Sequence, residues 1–179
     1  RMVILITGAS HTGKTLLAQR LVDACHFSCL SIDLLKMGLI RSGQTDLTPV
    51  DDDRLTDYLW PIVREIIKTA IENQQDLIVE GCYVPPDWEQ DFDRRYRAAI
   101  RFCCLVMSKG YLAQHFEDVR RHACAIEQRL DDACALSDLQ KDNARFARMC
   151  HTHGYPCLLI EDNYLQTLDR GIAALLKTE

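Results

Sequence analysis

The 179-residue sequence has no apolar run approaching the roughly 20 residues that a membrane-spanning helix needs. It has no basic excess either, since 21 lysines and arginines against 26 acidic residues give a formal charge of -5. Such a chain lacks the net basic face that a phosphate backbone demands, so neither a membrane nor a nucleic acid is an expected partner. Its nine cysteines are odd in number, and no two stand at C-x-x-C spacing. A disulfide framework is therefore not expected, and reduced thiols in a cytoplasmic protein are. Cys150, His151 and His153 come without a second ligand cluster at a zinc spacing and read as a surface loop. There is no internal repeat, low-complexity tract or Pro/Gly/Ser linker, so residues 1–179 are expected to form one domain. The apolar start, Met2–Thr7, is too short for a signal peptide and runs straight into a glycine-rich motif.

What is present is an alternation of short apolar runs with helical patterns. Met2–Thr7, Phe27–Ile32, Asp76–Glu80, Ile100–Met107 and Cys157–Ile160 read as strands. Between them, helical spacing is expected from Gly13 to Ala24, Asp33 to Ile40, Asp51 to Asn73, Tyr111 to Arg129 and Ser137 to Cys150, with a closing helix from Leu165 to Leu176. Strands that are apolar throughout imply a parallel sheet covered on both faces, with right-handed crossovers. The expected fold is α/β, a five-stranded parallel sheet with helices on both faces.

Gly8-Ala9-Ser10-His11-Thr12-Gly13-Lys14-Thr15 matches the phosphate-loop pattern G-x-x-x-x-G-K-[ST] at every position. The match has its proper setting, a strand ending at Thr7 and a helix beginning at Gly13. The chemistry explains the spacing. Glycines allow the backbone to turn its amides inward as an anion nest, and the helix behind them aims its positive end at the same place. Gly8, Ser10, His11, Thr12 and Gly13 would thus cradle the phosphates of ATP. Lys14 would supply a point charge to the β- and γ-phosphates, and the Thr15 hydroxyl a ligand to Mg²⁺.

The marks of other phosphate-loop classes are missing. There is no N-K-x-D for guanine and no L-S-G-G-Q-like transporter signature. The rest of the chain resembles the small P-loop kinases, the superfamily of nucleoside monophosphate, shikimate and gluconate kinases, chloramphenicol phosphotransferases and zeta-toxin-like kinases. Asp33-Leu34-Leu35-Lys36 resembles the start of the acceptor-binding helix in nucleoside monophosphate kinases. Leu77-Ile78-Val79-Glu80-Gly81 is similar to their strand ending in an acidic residue and glycine. Those kinases usually continue with F-P-R-T, whose arginine grips the acceptor's phosphate. Here Cys82-Tyr83-Val84-Pro85-Pro86 follows, with no arginine.

The resemblance implies a sheet in order 2-3-1-4-5 with a small helical lid at roughly 115–145, and a kinase whose Asp33 acts as base towards an acceptor hydroxyl, with Glu80 as metal partner. Lys36, Arg41, Gly81 and Tyr83 would face the acceptor, Trp88 could wall its pocket, and Arg129 or Arg121 would act from the lid. Arg120, Arg145 and Arg148 are further basic residues in this region, and 131–138 would be the lid tip. Three readings follow: phosphotransfer to a hydroxyl of a small molecule, a nucleoside monophosphate kinase, and a nucleotide-binding regulatory protein with little turnover. All three need the phosphate loop. Exchanging Lys14 for Ala is therefore expected to abolish ATP binding in a fluorescent-nucleotide titration, and unchanged affinity would contradict the loop's assignment.

Overall fold

Val3, Ile4, Leu5 and Ile6 are wholly buried, and a strand buried on both faces belongs at the middle of a parallel sheet. The computed structural model describes residues 1–126 and 135–177. In it these residues open β1 (Val3–Gly8), paired with β3 (Leu77–Glu80) on one side and β4 (Ile100–Met107) on the other. β2 (Ser28–Ser31) and β5 (Cys157–Ile160) form the edges. All pairs are parallel and the order is β2-β3-β1-β4-β5, as expected from the sequence. The register sets Ile6 beside both Glu80 and Cys103, so the acidic end of β3 lies next to the strand that leads into the phosphate loop.

The helices are α1 (Lys14–Cys25), α2 (Ile32–Arg41), α3 (Asp52–Glu72), α4 (Arg94–Arg97), α5 (Lys109–Ile126), α6 (Leu136–His153) and α7 (Tyr164–Leu176). Side chains alternate across a strand, and β1 accordingly feeds two cores. Val3 and Leu5 pack with Leu55, Leu59, Val63 and Ile67 of α3 and with Phe146 of α6. Ile4 and Ile6 pack with Leu17 and Leu21 of α1, Leu112 of α5 and Leu168 of α7.

Four local features differ from the sequence reading. β2 is confined to Ser28–Ser31, because Ile32 already belongs to α2. The stretch after β3 contains a 3₁₀ turn (Trp88–Asp91) and the short α4, capped by the Asp93 side chain accepting from the amides of Arg95 and Tyr96. Burial of Trp88 and Phe92 organises this segment, with Trp88 stacked on Phe102 at 5.2 Å between ring centroids. α5 is bent at His115, whose φ of -117° and ψ of 17° leave the helical region. α6 runs through Cys150–His153, which are therefore a buried cysteine and a helix end rather than a loop. Gly154, in the left-handed conformation, stops the helix there. Half of the expected lid tip, 131–134, lies outside the described residues, and α6 begins at Leu136 in the other half. Among the described residues no helix is long and apolar enough to cross a membrane.

Leu59 is fully buried between α3 and the sheet. Leu59→Ala is expected to cost about 2–5 kcal/mol in urea unfolding, whereas a loss below about 1 kcal/mol would mean that this core relaxes freely.

Candidate active site

The loop between β1 and α1 is shaped by two glycines at positive φ, where any side chain would be strained. Gly8 has a φ of 144°, and a Cβ there would lie 2.3 Å from the carbonyl oxygen of Leu105 on the paired strand β4. At Gly13, φ is 85° and a Cβ would lie 1.7 Å from the hydroxyl of Tyr164. His11, at φ 67°, adds a second left-handed residue to the turn, the kind of backbone from which anion nests are built. Inside the turn a single acceptor gathers two side chains. The hydroxyl of Thr12 donates to the Ala9 carbonyl at 2.9 Å, and the Lys14 ammonium donates to the same oxygen at 2.7 Å. No side chain caps the start of α1, since Gly13 stands at that position. The first amides of the helix, with its positive dipole end, are thus left for a ligand. Ser10 and His11 are half-buried at the loop's surface.

α7 supports the loop from its far side. The Tyr164 hydroxyl donates to the Thr12 carbonyl at 3.2 Å. Burial pushes this phenol up to about 12, so it stays protonated and able to donate at neutral pH.

Thr15 Oγ1 lies 3.5 Å from Glu80 Oε2, and Glu80 is only 2% exposed. A hydroxyl and a carboxylate are the hard oxygen donors that Mg²⁺ accepts alongside its waters. These two side chains, one in the first turn of α1 and one at the end of β3, are therefore of the right chemistry to hold that ion.

On the opposite side Ser31 caps α2, its hydroxyl accepting from the Leu34 amide. The capping role is thus filled without Asp33, which sits in the helix's first turn, where the dipole favours a carboxylate. Lys36, one turn on, donates to Asp33 Oδ1 at 2.7 Å and to the Tyr83 hydroxyl at 3.0 Å. This pair is largely shielded, with side chains 11% and 18% exposed for Lys36 and Asp33. Burial, first of all, raises the Tyr83 phenol well above its usual range and keeps it neutral. Gly81 makes the meeting possible: a Cβ there would come within 2.7 Å of Ile32 Cβ. Arg41, by contrast, is exposed in the last turn of α2.

Lys14, Thr15 and Asp33 line one cavity of about 370 Å³. Its opposite wall was not anticipated from the sequence. α5 contributes Tyr111, His115, Asp118 and His122, and α7 contributes Tyr164 and Leu165. The α5 residues recur at three- and four-residue steps, so they share one helix face; that spacing was the available signal. For Tyr164 the sequence held none. Arg121 is exposed and is not among the residues lining this cavity. Arg120 is paired with Glu117 at 3.2 Å, and Arg129 lies outside the described residues.

No protein-family model matches the sequence, and no curated protein matches it. Solved structures do match the fold. A gluconokinase from Sinorhizobium meliloti 1021 superposes with a TM-score of 0.59 at 16% identity, over 97% of this chain and 91% of that one. A deoxyadenosine kinase from M. mycoides gives 0.59 at 10% identity, over 97% and 98% of the two chains. The shikimate kinase of Aquifex aeolicus gives 0.54 at 12% identity, over 97% and 96%. The fold is that of the small P-loop kinases.

The contact between Gly13 and Tyr164 gives a prediction about the loop itself. Gly13→Ala should destabilise the protein, and a double-mutant cycle with Tyr164→Ala should return a coupling energy of about 1 kcal/mol or more in urea unfolding. Strict additivity would mean that Tyr164 does not shape the loop.

Proposed function

We propose that the protein is an ATP- and Mg²⁺-dependent phosphotransferase that moves the γ-phosphate to a hydroxyl of a small molecule. The observation that carries this reading is the sharing of one cavity by Lys14, Thr15 and Asp33. Phosphoryl transfer asks little covalent chemistry of a protein; it needs the partners in line and the charge stabilised. Lys14 and the loop amides would hold the β- and γ-phosphates. Thr15 and Glu80 would hold Mg²⁺, which when bound neutralises charge on the phosphate oxygens. Asp33 would accept the proton of the attacking hydroxyl. Its Oδ1 is engaged by Lys36, which fixes the carboxylate and leaves the second oxygen for the acceptor.

The same ion pair weighs against a nucleoside monophosphate as acceptor. A phosphate would need a free cation, yet Lys36 is already committed to Asp33 and Tyr83. Tyr83 also comes two residues after Gly81, in the stretch where the monophosphate kinases place their arginine. The names of the gluconokinase and shikimate kinase neighbours favour a small-molecule acceptor. Cys25, Cys29, Cys82, Cys103, Cys104, Cys150 and Cys157 carry free thiols, in keeping with a cytoplasmic setting.

A panel of hydroxyl-bearing metabolites and nucleoside monophosphates, read out by ADP release, is expected to yield one acceptor among the former. With it, Asp33→Asn should lower kcat by about 10²–10⁴-fold while ATP affinity changes little. Acceleration by a nucleoside monophosphate alone would favour the second reading. Tight ATP binding that no acceptor accelerates would favour a regulatory protein.

A further inference from the structure

Among the described residues, the cavity that joins the phosphate loop to α5 holds little fixed positive charge. Lys14 is the one described lysine or arginine lining it, against the carboxylates of Asp33 and Asp118. A nucleoside triphosphate adds several negative charges to that balance. What the wall does offer is imidazole. His122 Nδ1 lies 2.7 Å from the Asp118 carbonyl. A carbonyl oxygen only accepts, so Nδ1 carries the hydrogen and Nε2 is the nitrogen that takes up a proton. His115, at the bend of α5, is stacked on Tyr111 at 4.4 Å between ring centroids, with its Nδ1 4.0 Å from Asp118 Oδ2.

We propose that His115 and His122 are donor-nucleotide-binding residues, which take up protons as the triphosphate enters and then act as the cavity's additional cations. The proposal rests on the reading that the phosphate loop holds a nucleotide. Of the other described groups around the two imidazoles, His11 of the phosphate loop is the one that shares their chemistry. From α5 itself come Tyr111 and Asp118, from the loop His11 and Lys14, from α2 Asp33, and from α7 Tyr164. Burial raises both phenols, so they stay neutral. Arg20, which acts on the Tyr164 phenol, is tied to Asp169 at 2.6 Å. α6 packs against α5 and sends the neutral Gln140 to the Lys109 carbonyl. Among side chains with ordinary titration ranges, imidazole is the one that changes charge between pH 6 and 8.

The sign follows from linkage. An imidazole that gains an anionic partner has its pKa raised in the bound state. Affinity is then greatest below the free-state value and is lost as pH rises through the bound-state value.

Calorimetric titration with MgATP, at about pH 7 in two buffers of different ionisation enthalpy, counts the protons taken up on binding. Net uptake is expected for the wild type, together with roughly tenfold tighter binding at pH 6 than at pH 8. The His115→Gln/His122→Gln variant should lose most of that uptake and bind more weakly at pH 6. The two single variants should each lose part of it, which separates a local effect from a folding defect. Equal uptake and equal pH dependence in wild type and double variant would overturn the proposal while leaving nucleotide binding intact. If the wild type binds MgATP at neither pH, as Lys14→Ala is expected to behave, the phosphate-loop reading falls and this proposal with it.

Discussion

The Ala9 carbonyl accepts from the Lys14 ammonium and the Thr12 hydroxyl together, and the shape of the phosphate loop turns on that shared acceptor. For one oxygen to collect both donors, the chain must leave β1 and reverse within a few residues. Gly8 permits the departure while β1 stays paired to β4, and Gly13 permits the entry into α1. β1 can hold this position because both of its faces are buried, one against α3 and one against α1 and α7. The loop is therefore anchored where it joins the sheet, and the start of α1 is left without a side-chain cap where a phosphate would sit. A buried lysine is costly unless it is hydrogen-bonded, so the same oxygen also makes a 7%-exposed Lys14 tolerable inside the fold.

The acceptor side is built by a similar economy of contacts. Lys36 sits between Asp33 and Tyr83 and joins α2 to the segment after β3 through two hydrogen bonds. The position of Asp33 is thereby set by two elements far apart in the chain, and the close approach of Gly81 to Ile32 keeps those elements together. The glycine loop and the Asp33–Lys36 pair meet where β1, β2 and β3 end side by side, the crevice at which open α/β sheets bind ligands.

Much of this was legible in the sequence, for identifiable reasons. Strands buried on both faces leave continuous apolar runs, so β1, β4 and their neighbours could be read, and the resemblance to the small P-loop kinases implied the sheet order. The phosphate loop is contiguous, and Lys14 and Thr15 follow from its pattern. Asp33 and Lys36 stand three apart, which put them on one helix face, but nothing local said that they would neutralise each other or that Tyr83 would join them. The α5 wall was missed because its place in the cavity depends on how that helix packs and bends at His115, a tertiary matter. Helix α4 and the turn at Trp88 were missed because buried aromatic rings hold them in place of periodicity.

The contact of Tyr164 with the loop has a consequence for how the protein comes to be. Its hydrogen bond to Thr12 spans 152 positions of sequence, so the motif, once translated, waits for a helix translated long afterwards before that contact can form. A nascent chain that stopped short of α7 would carry every letter of the phosphate-loop pattern and lack the buttress that gives the loop its shape. Nucleotide capture would thus report on completion of the fold, because the loop and a helix far along the chain line a single cavity.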